Sequence, residues 1–206
     1  MCGVTGILHL DGAPASGTHL RAMTEALRHR GPDGEGHFVD GECALGHRRF
    51  AIIDLSPAGN QPMITRSGRY VISYNGEVYN FGELRVELEA KGHQFRSRSD
   101  TEVVLNALAE WGMEALNRFN GMFAFALWDK VERRLYLARD RYGIKPLYYA
   151  VVGNDVLFGS EIKALLQHPA IKAGLDREAL NDEFGGERAP GGRDRSTPVY
   201  LVHARP

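Results

Sequence analysis

Four short stretches carry residues whose types and spacing could do chemistry together. The chain opens MCGVTGILHL, which puts Cys2 directly behind Met1, with Gly3 as a spacer that has no side chain. Removal of Met1 would leave a thiol and a free α-amine on one carbon skeleton, and an N-terminal nucleophile of this kind can use its own amine as the base. A thiol with a pKa of about 8.5 and an α-amine at about 8 are both partly deprotonated at neutral pH, so the pair is easily activated. The plainer reading is a cysteine that stands there by chance. An attacked carbonyl would need an oxyanion hole, and a small charged substrate would need polar anchors.

Candidates for both exist. SYNGEVYN (73–80) sets Asn75-Gly76 between two strand-like pieces. This is either a type I′ hairpin turn or a turn that aims the Asn75 amide and the Gly76 N–H at one point. GHRRFAIIDL (46–55) brings two adjacent arginines into an apolar strand. Strand neighbours point to opposite faces, so at most one of Arg48 and Arg49 can face a given pocket, where it could grip a carboxylate; otherwise both are surface charges or ion-pair partners. RSDTEVV (98–104) puts Asp100 at a helix start, as a cap or as a carboxylate that receives an ammonium group. RHRGPDG (28–34) reads as a helix stop and turn with Arg30 and Asp33 as a local ion pair.

The elements around these residues are legible from periodicity and breakers. Residues 4–10 are strand-like, and Leu20, Met23, Ala26 and Leu27 fall at helical spacing until Gly31-Pro32. Residues 35–39 and 43–53 read as strands, SPAGNQP (56–62) as loop, and 70–74 as a strand broken by Asn75-Gly76. Helices are expected over 81–91 and 101–111, the second behind Ser99-Asp100-Thr101-Glu102, which has capping-box spacing. From Gly121, GMFAFALWD, RRLYLARD, KPLYYAVV and DVLFGS are four apolar strands consistent with a meander, and a helix over 161–166 follows. Strands, then helices, then strands again make the class α+β. The stretch 185–206 is rich in Gly, Arg and Pro, so disorder is expected there, although VYLVH alone could be a strand.

The totals exclude several classes. At 206 residues the chain suits one domain with a substantial core, and a net charge of −1 argues against a nucleic-acid or anionic-membrane partner. The longest apolar stretch, MFAFALW, is too short to span a bilayer, and no signal-peptide pattern opens the chain. The two cysteines, Cys2 and Cys43, lack CxxC spacing, and the eight histidines show no ligand spacing, which points to a cytoplasmic, metal-free protein.

Taken together these blocks resemble the glutaminase domain of class II glutamine amidotransferases, nearest to that of asparagine synthetases. The matching residues are Met1-Cys2-Gly3, RHRGPDG, HRRFAIIDLSPAGNQPM, YNGEVYN, RSDTEV, FNGMFAFALWD, ARDRYGIKPLYY and GSEIKALL. The resemblance runs to about residue 184, so a domain is expected over 2–184 with the tail over 185–206. It implies an N-terminal nucleophile hydrolase fold, a four-layer αββα sandwich of two antiparallel sheets. It also implies Cys2 as nucleophile with its α-amine as base and then acid, and Asn75 and Gly76 as oxyanion hole. Arg49, rather than Arg48, would grip the α-carboxylate of L-glutamine, and Asp100 its α-ammonium. The backbone of Arg49, Phe50, Ala51, Ile52 and Ile53, together with Glu77, would line the pocket. The products would be glutamate and ammonia.

Two departures from such relatives stand out. No SGGxDS-type pyrophosphate loop or Walker A motif occurs, so the synthetase domain that activates aspartate is absent from these 206 residues. ATP and magnesium are therefore expected only of that missing domain or subunit, which would accept the ammonia, and no cofactor is expected here. After ALNDEF the resemblance stops, and the expectation is a truncated or frame-shifted version of a longer synthetase, with a natural stand-alone glutaminase as the alternative. A homodimer is compatible with the reading. Retention of Met1 would instead favour a non-catalytic module that binds glutamine or a partner.

Overall fold

The central strands β1 (Gly3–His9) and β6 (Gly121–Asp129) are buried on both faces along most of their length, and the chain covers those faces by stacking four layers. The computed structural model describes residues 1–174 and the backbone of 199–203. One five-stranded sheet has the order β2 (Gly34–Asp40), β3 (Cys43–Arg49), β1 (Gly3–His9), β9 (Asp155–Gly159) and β8 (Tyr148–Val152). The other runs β10 (Val199–His203), β7 (Arg134–Arg139), β6 (Gly121–Asp129), β5 (Tyr70–Val78) and β4 (Met63–Ile64). Every pairing is antiparallel. Helices α1 (Gly17–Glu25) and α4 (Ile162–Leu165) lie against the first sheet, and α2 (Phe81–Ala90) and α3 (Asp100–Trp111) accompany the second.

Three apolar cores separate the layers, and the period-two rule sorts residues among them. Between the sheets lie Val4 and Leu8 of β1, Cys43 and Leu45 of β3, Val71 of β5, Trp128 of β6 and Phe158 of β9. Their strand neighbours Ile7, Ala44 and Leu157 face α1 and α4 with Leu20 and Met23. On the far side Ile72, Tyr74, Phe125 and Leu127 meet Leu84, Leu88, Val104 and Leu108 of α2 and α3. Trp128, fully buried, satisfies its indole N–H with Asp40 Oδ2 at 2.9 Å.

Several expectations are corrected. The four strands after Gly121 do not form one meander: β6 and β7 belong to one sheet, and β8 and β9 to the other. Periodicity shows which face of a strand is apolar but not which sheet it joins. The strand expected over 43–53 stops at Arg49. Asn75-Gly76 makes no turn, because β5 runs straight through it in a nine-residue register with β6, with Asn75 opposite Ala124 and Gly76 opposite Phe123. Of the tail, residues 175–198 and 204–206 lie outside the described residues, while VYLVH forms β10 beside β7. Among the described residues no helix is long and apolar enough to cross a membrane.

Candidate functional site

The first residues of β1, the end of β3 and the end of β5 meet at one edge of the sandwich. Gly3 pairs with Arg48, which sets Cys2 beside Arg49 and Phe50. Here the structure brings together every site residue expected from the sequence. Cys2, Arg49 to Ile53, Asn75 to Glu77 and Asp100 line a single cavity of about 140 Å³.

The Cys2 sulfur is held by the backbone of Phe50, whose N–H lies 3.4 Å away and whose carbonyl oxygen lies 3.6 Å away. Burial pushes the thiol pKa up, opposed by the Phe50 N–H, so the resting group is the neutral thiol. The Cys2 carbonyl accepts from Arg30 Nε at 2.9 Å, and Arg30 Nη1 pairs with Glu161 at 2.9 Å. Arg30 is thus tied to a residue far along the chain, not to Asp33. Asp33 instead accepts from the Ala51 N–H at 2.9 Å. Gly31 is required by close approach, since a Cβ there would lie 2.4 Å from the Arg48 carbonyl carbon. The Met1 amine lies 3.2 Å from the Arg30 carbonyl, and burial pushes its pKa down.

The two arginines diverge as strand geometry requires. Arg48, almost fully buried, turns away to Glu35 at 2.5 Å and Glu25 at 3.6 Å. Arg49 turns into the cavity, where Nη1 donates to the Ser56 carbonyl at 2.9 Å and to Asn60 Oδ1 at 2.7 Å, and Nη2 donates to the Asp54 carbonyl. A Cβ on Gly59 would stand 2.5 Å from Nη2, so glycine there makes room for the guanidinium. The loop over 50–60 is pinned in turn by Asp54, whose Oδ2 accepts from the Arg98 N–H at 2.8 Å. The Ser56 hydroxyl and the Arg98 and Ser56 N–H groups hold the Asp54 carboxyl down at about 2.

β5 reaches the cavity beyond the end of β4, which covers only Ile72 and Val71. N–H groups alternate sides along an antiparallel strand. The Tyr74 N–H donates away from β6 to Gln61 Oε1 at 2.7 Å, and the Val78 N–H to Asp100 Oδ2 at 3.2 Å. Gly76, two residues from each, directs its N–H to the same uncovered side. Its missing side chain is again a requirement, because a Cβ would lie 2.6 Å from the Met122 carbonyl oxygen. Asn75 is 2% exposed, and its Nδ2 is buried with no hydrogen-bond partner among the described residues. A buried amide left without an acceptor costs stability, and it is the kind of donor a site keeps in reserve.

Asp100 opens α3, but Ser99 caps it: Ser99 Oγ accepts from the Thr101 N–H at 3.1 Å. The expected capping-box partner, Glu102, reaches further back, accepting from the Ser97 N–H at 2.7 Å and the Arg96 N–H at 3.0 Å. Freed from capping, Asp100 accepts from the Tyr74 hydroxyl at 2.9 Å. Burial pushes the Asp100 carboxyl up, and the Tyr74 and Val78 donors pull it back. Sequence reasoning missed Tyr74, Gln61 and Lys145, which also line the cavity. Tyr74 carried one signal, its place beside Asn75. Among the described residues no cluster of three His, Cys, Asp or Glu side chains could hold a metal ion.

Comparison with known proteins agrees with this architecture. A family model described as a glutamine amidotransferase domain matches residues 1–193. Asparagine synthetase [glutamine-hydrolyzing] 3 of Bacillus subtilis is 44% identical over 196 residues, covering 93% of this chain and 32% of that protein. Asparagine synthetase [glutamine-hydrolyzing] 2 of Arabidopsis thaliana is 40% identical over 167 residues, covering 80% of this chain and 28% of that protein. The chain thus spans about a third of the length of the curated relatives it matches. Among solved structures, glutamine phosphoribosylpyrophosphate amidotransferase from B. subtilis superposes with a TM-score of 0.68 at 24% identity, covering 80% of this chain and 43% of that one. The two-sheet sandwich with helices outside is accordingly the N-terminal nucleophile hydrolase fold. With the family model across most of its length and such relatives over nearly all of it, the chain belongs to the glutamine amidotransferase family.

Proposed function

We propose that this chain is the glutaminase half of an asparagine synthetase-like amidotransferase and hydrolyses the side-chain amide of L-glutamine through a thioester on Cys2. The observation that carries the reading is the buried, partnerless Asn75 Nδ2 in the same cavity as the Cys2 thiol. Met1 is removed first, which frees the Cys2 amine. The thiol proton passes to that amine as sulfur attacks the amide carbon. Asn75 Nδ2 and the Gly76 N–H then receive the oxyanion, a pair of donors fixed before the charge develops. The ammonium returns its proton to the leaving nitrogen, the C–N bond breaks, and ammonia departs. Water attacks the thioester with the amine again as base, giving glutamate and the free thiol.

Arg49 takes the substrate carboxylate and Asp100 the ammonium, one complement for each charged end. The Arg49 to Ile53 backbone and Glu77 complete the pocket wall. The steps use only thiol, amine and amide groups, so the hydrolysis needs no cofactor of its own. ATP and magnesium would serve a synthetase domain or subunit that takes up the ammonia, with aspartate as the carboxylate amidated, as the names of the relatives suggest. Cys2 and Cys43 are both free thiols, which suits a reducing, cytoplasmic setting. The reading is tested by following glutamate and ammonia together from L-glutamine. Equimolar release that is abolished by Cys2→Ala and unaffected by chelator is expected. Turnover that survives Cys2→Ala would overturn it.

A further inference from the structure

Tyr74 is held at every polar atom it has. Its N–H donates to Gln61 Oε1 at 2.7 Å, and its carbonyl accepts from His47 Nε2 at 3.1 Å across the inter-sheet space. Its hydroxyl donates to Asp100 Oδ2 at 2.9 Å. The side chain is 2% exposed and passes directly beneath Gly76, where a Cβ would lie 2.7 Å from both the phenol oxygen and the carbon that bears it. The phenol therefore has no freedom to swing, and its O–H is a fixed donor aimed at one carboxylate oxygen.

That oxygen is doubly committed, since the Val78 N–H also donates to Oδ2 at 3.2 Å. A carboxylate offers about four lone-pair directions on its two oxygens, so Oδ1 keeps capacity for a further donor. Two donors on one oxygen fix the plane of the group and favour its ionised form inside a buried site. We propose that Tyr74 is a positioning residue for glutamine selection: its hydroxyl locks Asp100 so that the carboxylate meets the α-ammonium of the substrate, and it thereby sets the preference for an α-amino acid amide over an amide without the amino group. This rests on the assignment of Asp100 to the substrate ammonium given above. Tyr74 touches no reacting atom, and its effect is carried through Asp100.

The test compares kcat/KM for L-glutamine and for 4-carbamoylbutanoate, the same amide without its α-amine, in wild type, Tyr74→Phe and Asp100→Asn. The ratio of the two substrates is taken within one protein, so any partial loss of folded enzyme cancels. For Tyr74→Phe we expect a loss of roughly tenfold on glutamine, mostly in KM, and less than about twofold on the desamino amide, the size of one hydrogen bond to a charged group. The Ki values of L-glutamate and glutarate read the same difference without turnover. Equal losses on both substrates, or no loss in Tyr74→Phe while Asp100→Asn is impaired on glutamine alone, would overturn the role of Tyr74. A wild type that treats the two amides alike, or an Asp100→Asn variant that keeps the preference for glutamine, would instead overturn the assignment of Asp100.

Discussion

Replacing Asn75 by alanine separates a catalytic amide from a structural one. In the resting protein Nδ2 is buried and has no hydrogen-bond partner among the described residues. An unsatisfied buried donor costs about 1–3 kcal/mol, which the substitution removes. Against this stands the lost contact of a small buried side chain, about 1 kcal/mol by area. The balance is about zero to 2 kcal/mol in favour of the variant, which leaves the melting temperature of a chain of this size unchanged or raises it by up to about 4–8 °C. Loss of one oxyanion donor, in contrast, lowers kcat by about a hundred- to a thousandfold. Asn75→Ala should therefore be almost inactive and as stable as wild type, or more so. Gln61→Ala is the control, since it strips the acceptor from the Tyr74 N–H at 2.7 Å and a partner from Thr101 at 3.3 Å. That loss leaves a buried donor unpaired and should lower stability by about 2–4 kcal/mol. Thermal melts and steady-state glutamate release on the same preparations decide the matter. An Asn75→Ala variant that keeps kcat within about tenfold, or that melts as early as Gln61→Ala, would refute the oxyanion argument.

Three further perturbations follow from the same geometry. Arg48→Ala breaks the contacts to Glu35 and Glu25 and should lower the melting temperature with KM for glutamine unchanged. Arg49→Lys loses the three-way grip on Ser56, Asn60 and Asp54 and should raise KM roughly tenfold or more, with little change in melting. His47 is fully buried, and burial pushes its pKa from 6.5 down to about 4. Between those values the unfolded chain binds the proton and the folded one does not, so stability is complete above the unfolded pKa and falls as pH drops toward 4. The loss is on the order of 3 kcal/mol, and urea unfolding over that range should show it in wild type and a flatter profile in His47→Gln.

The split between Arg48 and Arg49 was legible because strand alternation is a local rule; the four layers came only with the family resemblance, and the structure shows them in the way Ile7 and Leu8, or Ile72 and Val71, face opposite cores. Asn75-Gly76 misled for an equally local reason. The dipeptide has turn chemistry, but pairing with β6 along nine residues outweighs that preference, and Gly76 is needed to let Met122 come close. Arg30 pairs with Glu161, 131 positions away, so its role could not be read from RHRGPDG alone. The same holds for Tyr74, whose partners Gln61, His47 and Asp100 come from three separate segments. Spacing reveals which residues share a face; it does not reveal which distant side chains complete their hydrogen bonds.

Whether a processed Cys2 acts as nucleophile in a glutamine-shaped pocket is read out by intact mass before and after exposure to 6-diazo-5-oxo-L-norleucine, an electrophilic glutamine analogue. We expect a chain that lacks Met1 and gains a single covalent adduct, prevented by excess L-glutamine and absent in Cys2→Ala. A chain that retains Met1, or one that is processed yet stays unlabelled, would contradict that role of Cys2.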